Sequence, residues 1–142
     1  MARDTSLRGE VFCFSDQTKM TVLAVIDDLL FRAKLEAAAA HADVHLEIVT
    51  GASAAAGVRL NPSCTLLIVD LTLSSADPVA VVHALRRAAP GVPILGYAPH
   101  AQADRKAQAT AAGCAWVWPR SLFVQRLPEV LAGLLTQPAS GQ

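Results

Sequence analysis

The residues best suited to chemistry in this 142-residue chain are three aspartates that follow two apolar runs. Asp27 and Asp28 come at the end of residues 21–26, and Asp70 comes directly after residues 65–69. Carboxylates held close together oppose one another's ionisation, and a hard cation relieves that repulsion. Magnesium takes oxygen ligands, commonly one or two carboxylates together with a phosphate. The aspartates therefore predict a Mg²⁺ site, the alternative being that Asp28 caps a helix and Asp70 caps a turn.

The sequence around these aspartates alternates regularly between short apolar runs and alanine-rich segments. Apolar runs of five or six residues predict β-strands, and segments of eight to fourteen residues predict helices. The predicted strands are 21–26, 45–49, 65–69, 92–97 and 114–118. The predicted helices are 29–42, 52–59, 77–89, 101–112 and 122–135. Such βα repeats predict a three-layer α/β/α, doubly wound fold around a five-stranded parallel sheet.

The polarity of the runs indicates where each strand lies in the sheet. The first and third runs are apolar almost throughout, as expected for strands covered by helices on both faces. The second run carries His45 and Glu47 at alternate positions, which is typical of an edge strand. A flavodoxin-like strand order of 2-1-3-4-5 fits these positions. Ligands of open parallel sheets bind beyond the carboxyl ends of the strands, so the three aspartates are expected at the binding site.

Four short motifs, taken in order and at their spacing, resemble the CheY-like receiver domain of bacterial response regulators. The motifs are Val25-Ile26-Asp27-Asp28, Leu67-Ile68-Val69-Asp70-Leu71, Val92-Pro93-Ile94-Leu95 and Gly113-Cys114-Ala115. The receiver-like domain covers residues 20–136. The resemblance implies that Asp70 accepts a phosphoryl group from a histidine kinase or a small phosphodonor. It also implies that Mg²⁺ is held by Asp27, Asp28, Asp70 and the carbonyl of Thr72.

Two positions depart from the receiver pattern and imply a degenerate domain. The hydroxyl of the fourth strand falls on Ala98, which cannot donate a hydrogen bond, and the lysine of the fifth falls on Arg120, which holds phosphate with a different geometry. One lost hydrogen bond to a charged group weakens phosphorylation about 10- to 100-fold. The resemblance therefore implies a pseudo-receiver that is not an enzyme and acts through protein contacts. A competent Mg²⁺-dependent phosphoacceptor is the first alternative, and His100 is a candidate to replace the missing hydroxyl.

Trp116 and Trp118 are candidates for an interaction surface. A period of two places both on one face of the last strand, where they either pack under a helix or form an aromatic interface patch. In receivers the face built from the fourth helix, fifth strand and fifth helix is the usual partner and dimer surface. The resemblance therefore implies a histidine kinase or a downstream regulator as partner, and a homodimer through this face.

Composition excludes several other classes of protein. Twelve Lys and Arg balance twelve Asp and Glu, so the chain lacks the basic surplus of a nucleic-acid-binding protein. Cys13, Cys64 and Cys114 are scattered, which indicates a reduced, cytoplasmic protein without a disulfide scaffold. No apolar stretch reaches the roughly 18 residues of a membrane span. Residues 1–19 are expected to form a flexible extension and residues 137–142 a tail.

A flavodoxin-like FMN carrier is the alternative from a different functional class. Its flavin phosphate requires backbone amides and hydroxyls after the first strand. Asp27 and Asp28 occupy that loop here, and their charges would repel a phosphate. A bound yellow chromophore in the purified protein would favour this alternative.

Overall fold

The computed structural model describes residues 21–57, 59–99 and 103–133. Five parallel strands form one sheet: β1 (Thr21–Val25), β2 (His45–Val49), β3 (Cys64–Asp70), β4 (Ile94–Ala98) and β5 (Trp116–Pro119). Their order is β2-β1-β3-β4-β5. This confirms the predicted flavodoxin-like order. The predicted extension 1–19, the tail 137–142 and His100 lie outside the described residues.

Six helices cover the sheet in the described part of the chain: α1 (Leu29–Ala42), α2 (Gly51–Ala56), α3 (Pro78–Ala88), α4 (Ala103–Ala112), α5 (Arg120–Gln125) and α6 (Leu127–Leu131). The predicted single helix 122–135 is two short helices that meet at Arg126. Pro128 accounts for the break because it has no N–H to donate to the preceding turn. None of the described helices is long and apolar enough to cross a membrane.

Alternate residues of each strand point to opposite faces of the sheet, so the fold has two separate cores. One core is covered by α2, α3 and α4, and it includes Leu23, Val25 and Ala98. The other is covered by α1, α5 and α6, and it includes Ile26 and Tyr97. The face to which a strand residue points therefore decides which helices it can contact.

Particular residues mark the beginning of α3 and the end of α4. The Asp77 carboxylate accepts a hydrogen bond from the Val79 N–H at 3.1 Å, and Pro78 begins α3. Gly113 follows α4 with a φ of 132°, a left-handed conformation that side chains rarely adopt. A Cβ at this position would overlap the side chain of Arg86. Gly113 is therefore required both by its backbone angle and by close packing.

Candidate functional site

The side chains of Asp27 and Asp28, which follow the end of β1, point in opposite directions. Consecutive residues of an extended chain point to opposite faces, so Asp27 continues the face of Val25 and Asp28 that of Ile26. Asp27 accordingly contacts the start of α2, whereas Asp28 caps α1. The two neighbouring carboxylates thus have different partners.

The Asp27 carboxylate is surrounded by hydrogen-bond donors. Its Oδ1 accepts from the Gly51 N–H at 2.9 Å and from the Ser75 hydroxyl at 3.0 Å. Its Oδ2 accepts from the Ser74 and Ser75 N–H groups at 3.0 and 2.9 Å, with the Ser74 hydroxyl at 3.4 Å. Burial alone would raise the pKa of Asp27, but these donors outweigh it and lower the pKa. Both oxygens are therefore engaged by the protein itself.

Ser75 connects this carboxylate to α2. Its hydroxyl donates to Asp27 and also accepts a hydrogen bond from the Ala52 N–H at 2.8 Å. A Cβ at Gly51 would lie 2.9 Å from the Ser75 oxygen, so this approach requires glycine. The sequence analysis did not identify Ser75. The only local signal of its role is that Ser74 and Ser75 place two hydroxyl groups in the loop after a strand end. The hydrogen bond between Ser75 and Asp27 spans 48 residues of sequence.

Asp28 forms the N-cap of α1, as in the capping alternative considered from the sequence. Its Oδ1 accepts from the Leu30 N–H at 2.9 Å and from the Phe31 N–H at 3.3 Å. A helix start leaves these N–H groups without intrahelical partners, and a carboxylate satisfies them. One oxygen of Asp28 is therefore used in holding the helix.

Asp70 lies at the end of central strand β3 and is 3% exposed. Its Oδ1 accepts from the Thr72 N–H at 2.8 Å and from the Thr72 hydroxyl at 2.6 Å. Its Oδ2 lies 4.0 Å from Nη2 of Arg120. One oxygen is thus held by the following turn, and the other faces a positive charge.

Arg120 is the first residue of α5, and its guanidinium packs on aromatic rings. The guanidinium carbon lies 5.2 Å from the centre of the Phe31 ring and 5.8 Å from that of Tyr97. These distances are within the range of cation–π attraction. The Arg120 Nε is buried and has no hydrogen-bond partner. Stacking, rather than hydrogen bonding alone, holds the cation beside Asp70.

Tyr97 is the hydrogen-bonding register partner of Asp70 on the neighbouring strand β4. It is fully buried, and its ring stacks on Phe123 with centres 4.8 Å apart and lies 5.1 Å from the Phe31 ring. Its hydroxyl is buried and makes no hydrogen bond of good geometry, although the Asp70 carboxylate is close enough to interact with it. Burial, followed by the charge of Asp70, raises the pKa of this hydroxyl. Sequence analysis missed Tyr97 because the receiver pattern directs attention to the next residue, Ala98.

The three aspartates do not form one metal-binding cluster. Among the described residues, no group of three or more His, Cys, Asp or Glu side chains is arranged to hold a metal ion. The cause is the opposite orientation of Asp27 and Asp28, together with the donors that occupy both oxygens of Asp27. Asp27 thus points to one face of the sheet, and Asp28 and Asp70 to the other. A Mg²⁺ site formed by Asp27, Asp28, Asp70 and the Thr72 carbonyl stays a prediction.

The remaining predicted positions lie at the ends of β4 and β5. Ala98 is buried in the core under α3 and α4, on the opposite face from Tyr97. Trp116 and Trp118 are partly exposed and pack against the other core, and the Arg126 guanidinium lies 5.0 Å from the Trp118 ring centre. These contacts fit the packing interpretation, and an interface role for the tryptophans stays a prediction.

Comparison with known proteins gives matches in structure and none in sequence. No protein-family model matches the chain, and no curated protein sequence matches it. A CheY-like receiver domain protein from Methanospirillum hungatei JF-1 has a TM-score of 0.68 at 15% identity, over 82% of this chain and 92% of that one. The chemotaxis response regulator CheY4 of Vibrio cholerae has a TM-score of 0.67 at 20% identity, over 83% and 100%. The Mn²⁺-bound response regulator Rcp1 has a TM-score of 0.62 at 16% identity, over 84% and 99%.

These similarities extend over nearly the whole length of the matching domains. The five-stranded parallel sheet, its strand order and the covering helices agree with this fold. The chain therefore has the fold of the CheY-like receiver domains of response regulators.

Proposed function

We propose that this chain is a receiver-type signalling module of a two-component system, with a degenerate acceptor pocket. Asp70 is the regulated residue, Arg120 is its charge partner, and the output is a contact with another protein rather than catalysis. Phosphorylation is slow, and the domain contacts its partner largely without it. Three solved structures of the same fold are named as receiver domains or response regulators, which supports the signalling class.

The observation that carries the degenerate assignment is the saturation of Asp27. Its carboxylate accepts three backbone N–H donors and two hydroxyl donors, so a cation would have to displace several hydrogen bonds to reach it. Hydrogen bonds to charged groups contribute about 1.5–3 kcal/mol each, which makes their displacement costly. A weakened metal site and the missing hydroxyl at Ala98 both oppose rapid phosphoryl transfer.

A competent phosphoacceptor is the second candidate, and one observation favours it. Asp70 Oδ2 accepts no hydrogen bond from Thr72 and faces Arg120, so one oxygen is directed toward a cation that can neutralise a phosphoryl group. Arginine can hold a phosphoryl group through two parallel hydrogen bonds. The two candidates share Asp70 and differ in the rate of phosphorylation.

Incubation with acetyl phosphate distinguishes these candidates. Intact mass is followed over time for the wild type, Ala98→Thr and Asp70→Asn, each with Mg²⁺ and with EDTA. We expect slow phosphorylation of the wild type, about 10- to 100-fold faster phosphorylation of Ala98→Thr, and none of Asp70→Asn. We also expect EDTA to have little effect on the wild type.

If the wild type and Ala98→Thr are phosphorylated at equal rates, and if EDTA abolishes this phosphorylation, the result would contradict degeneracy and establish the competent alternative. Phosphorylation that persists in Asp70→Asn would contradict the choice of acceptor. The flavin alternative gains no support from the site, because carboxylates stand where a flavin phosphate would need donors.

A further inference from the structure

Two buried polar atoms beside Asp70 lack hydrogen-bond partners. They are the Tyr97 hydroxyl and the Arg120 Nε, and in the described residues no other buried side-chain nitrogen or oxygen is unsatisfied. A buried donor without a partner destabilises a protein, so native proteins rarely leave one. Both donors lie on side chains that interact with Asp70, so an anionic group on this carboxylate is within their reach.

The sheet register places Tyr97 beside Asp70, and the Asp70 carboxylate is close enough to interact with the Tyr97 hydroxyl. The two residues are paired across β3 and β4, so their Cα atoms are about one strand spacing, about 4.8 Å, apart. Both side chains leave the same face of the sheet. Phe31 and Phe123 hold the Tyr97 ring on two sides, with the Phe123 ring only 7° from parallel. The hydroxyl therefore cannot rotate away to find another partner.

The chemistry of these atoms shows that the group they can bind is an oxygen acceptor. A guanidinium Nε can only donate, and the raised pKa of Tyr97 keeps its hydroxyl protonated. The Arg120 guanidinium also stacks over the Tyr97 ring, so both donors belong to one packed unit. A phosphoryl group on Asp70 Oδ2 would supply anionic oxygens at this place.

We propose that Tyr97 is a catalytic residue of the acceptor site, whose hydroxyl donates a hydrogen bond to the phosphoryl group on Asp70. With Arg120 it takes the role that Ala98 cannot fill, and it does so from the opposite face of the sheet. This proposal rests on the assignment of Asp70 as the regulated residue. It accounts for the slow phosphorylation proposed above for a receiver without the usual hydroxyl.

The step itself is an in-line displacement on phosphorus. Asp70 Oδ2 forms the new oxygen–phosphorus bond while the bond from phosphorus to the acetyl oxygen of acetyl phosphate breaks. Acetate leaves with the bonding electron pair, and the product is an aspartyl phosphate. The Tyr97 proton stays on its oxygen throughout, because the hydroxyl only stabilises the negative charge on the transferred group.

The test compares the wild type with Tyr97→Phe, which keeps the stacked ring and removes only the hydroxyl. Both proteins are incubated with acetyl phosphate, and intact mass gives the rate of phosphorylation. Tyr97 is the single tyrosine of the chain, so 3-fluorotyrosine labelling gives one fluorine resonance that reports on this hydroxyl. We expect Tyr97→Phe to be phosphorylated at least about tenfold more slowly. We also expect the resonance to shift when the wild type is phosphorylated.

Equal rates in the two proteins, or a resonance unmoved by phosphorylation, would overturn the role of Tyr97 and leave the signalling assignment intact. A wild type that is never phosphorylated overturns it as well, because no acceptor group would then reach the hydroxyl. Failure of the degenerate assignment gives a different result, because the wild type would then be phosphorylated as fast as Ala98→Thr. If Tyr97→Phe does not fold, the fluorine resonance of the wild type alone decides.

Discussion

Asp70 and Tyr97 occupy the same level of two adjacent parallel strands, and both point to the face covered by α1, α5 and α6. Arg120 completes the group, with Nη2 4.0 Å from the Asp70 carboxylate and its guanidinium over the Tyr97 ring. A change of charge on Asp70 therefore acts directly on the first residue of α5. On the face covered by α2, α3 and α4, the end of β4 carries Ala98.

Replacing Asp27 by asparagine should destabilise the fold. In either orientation of the amide, its NH₂ group would face backbone N–H donors, those of Ser74 and Ser75 or that of Gly51. Two donors that face each other cannot form a hydrogen bond. We expect the free energy of unfolding to fall by about 1–3 kcal/mol, measured by urea denaturation. Asp28→Asn is the matched control, because asparagine caps a helix about as well as aspartate. Equal stability of the two variants would show that the Asp27 hydrogen bonds contribute little.

The stabilisation by Asp27 should be lost in acid. Its pKa in the folded protein lies below the ordinary value of 3.8 because hydrogen bonds favour the carboxylate. The unfolded chain therefore takes up the proton first as the pH falls, and the free energy of unfolding decreases below about pH 4–5. Urea denaturation across this range should show the wild type approaching Asp27→Asn in stability. A constant difference between the two proteins would contradict the lowered pKa.

Tyr97 should resist ionisation while the protein is folded. Burial, and then the charge of Asp70, raises the pKa of its hydroxyl, whereas the unfolded chain releases the proton near the ordinary value of about 10. The folded state consequently binds more protons above that pH, and the free energy of unfolding falls as the pH rises. Near-ultraviolet absorbance should show tyrosinate only when circular dichroism shows unfolding. A reversible titration near pH 10 in folded protein would contradict this.

Gly113→Ala should be destabilising, and Gly91→Ala should be nearly neutral. The first change places a methyl group at a φ of 132° and against Arg86, which itself donates a hydrogen bond to the Pro90 carbonyl at 2.8 Å. A Cβ at Gly91 meets no atom within 4 Å. We expect a loss of about 1–3 kcal/mol for Gly113→Ala in urea denaturation, from backbone strain and displacement of Arg86. Comparable losses in both variants would exclude this explanation.

Local sequence was enough to predict the sheet. Apolar runs marked every strand, and their polarity indicated that the first and third strands are central and that the second, with His45 and Glu47, lies at an edge. Strand ends were less accurate, since the fourth strand was predicted at 92–97 and lies at Ile94–Ala98. Residue pattern defines the burial of a segment well, but hydrogen bonding to the neighbouring strand sets its ends.

The site was harder to predict because its geometry depends on long-range contacts. The sequence identified Asp27, Asp28 and Asp70 as a group, but their separation depends on which face each residue points to after β1 ends. The donors on Asp27 come from residues 24 to 48 positions away. Tyr97 was missed because its importance arises from the strand register and not from a motif.

The bridge at Ser75 has a mechanical consequence for the domain. Its one hydroxyl is bound both to Asp27 and to the Ala52 N–H, so the loop after β3 and the first turn of α2 share an attachment point. A binding partner that pulled this loop outward would release the beginning of α2 in the same movement. The β2 edge of the sheet would then respond to a contact made at the loop after β3, two strands away.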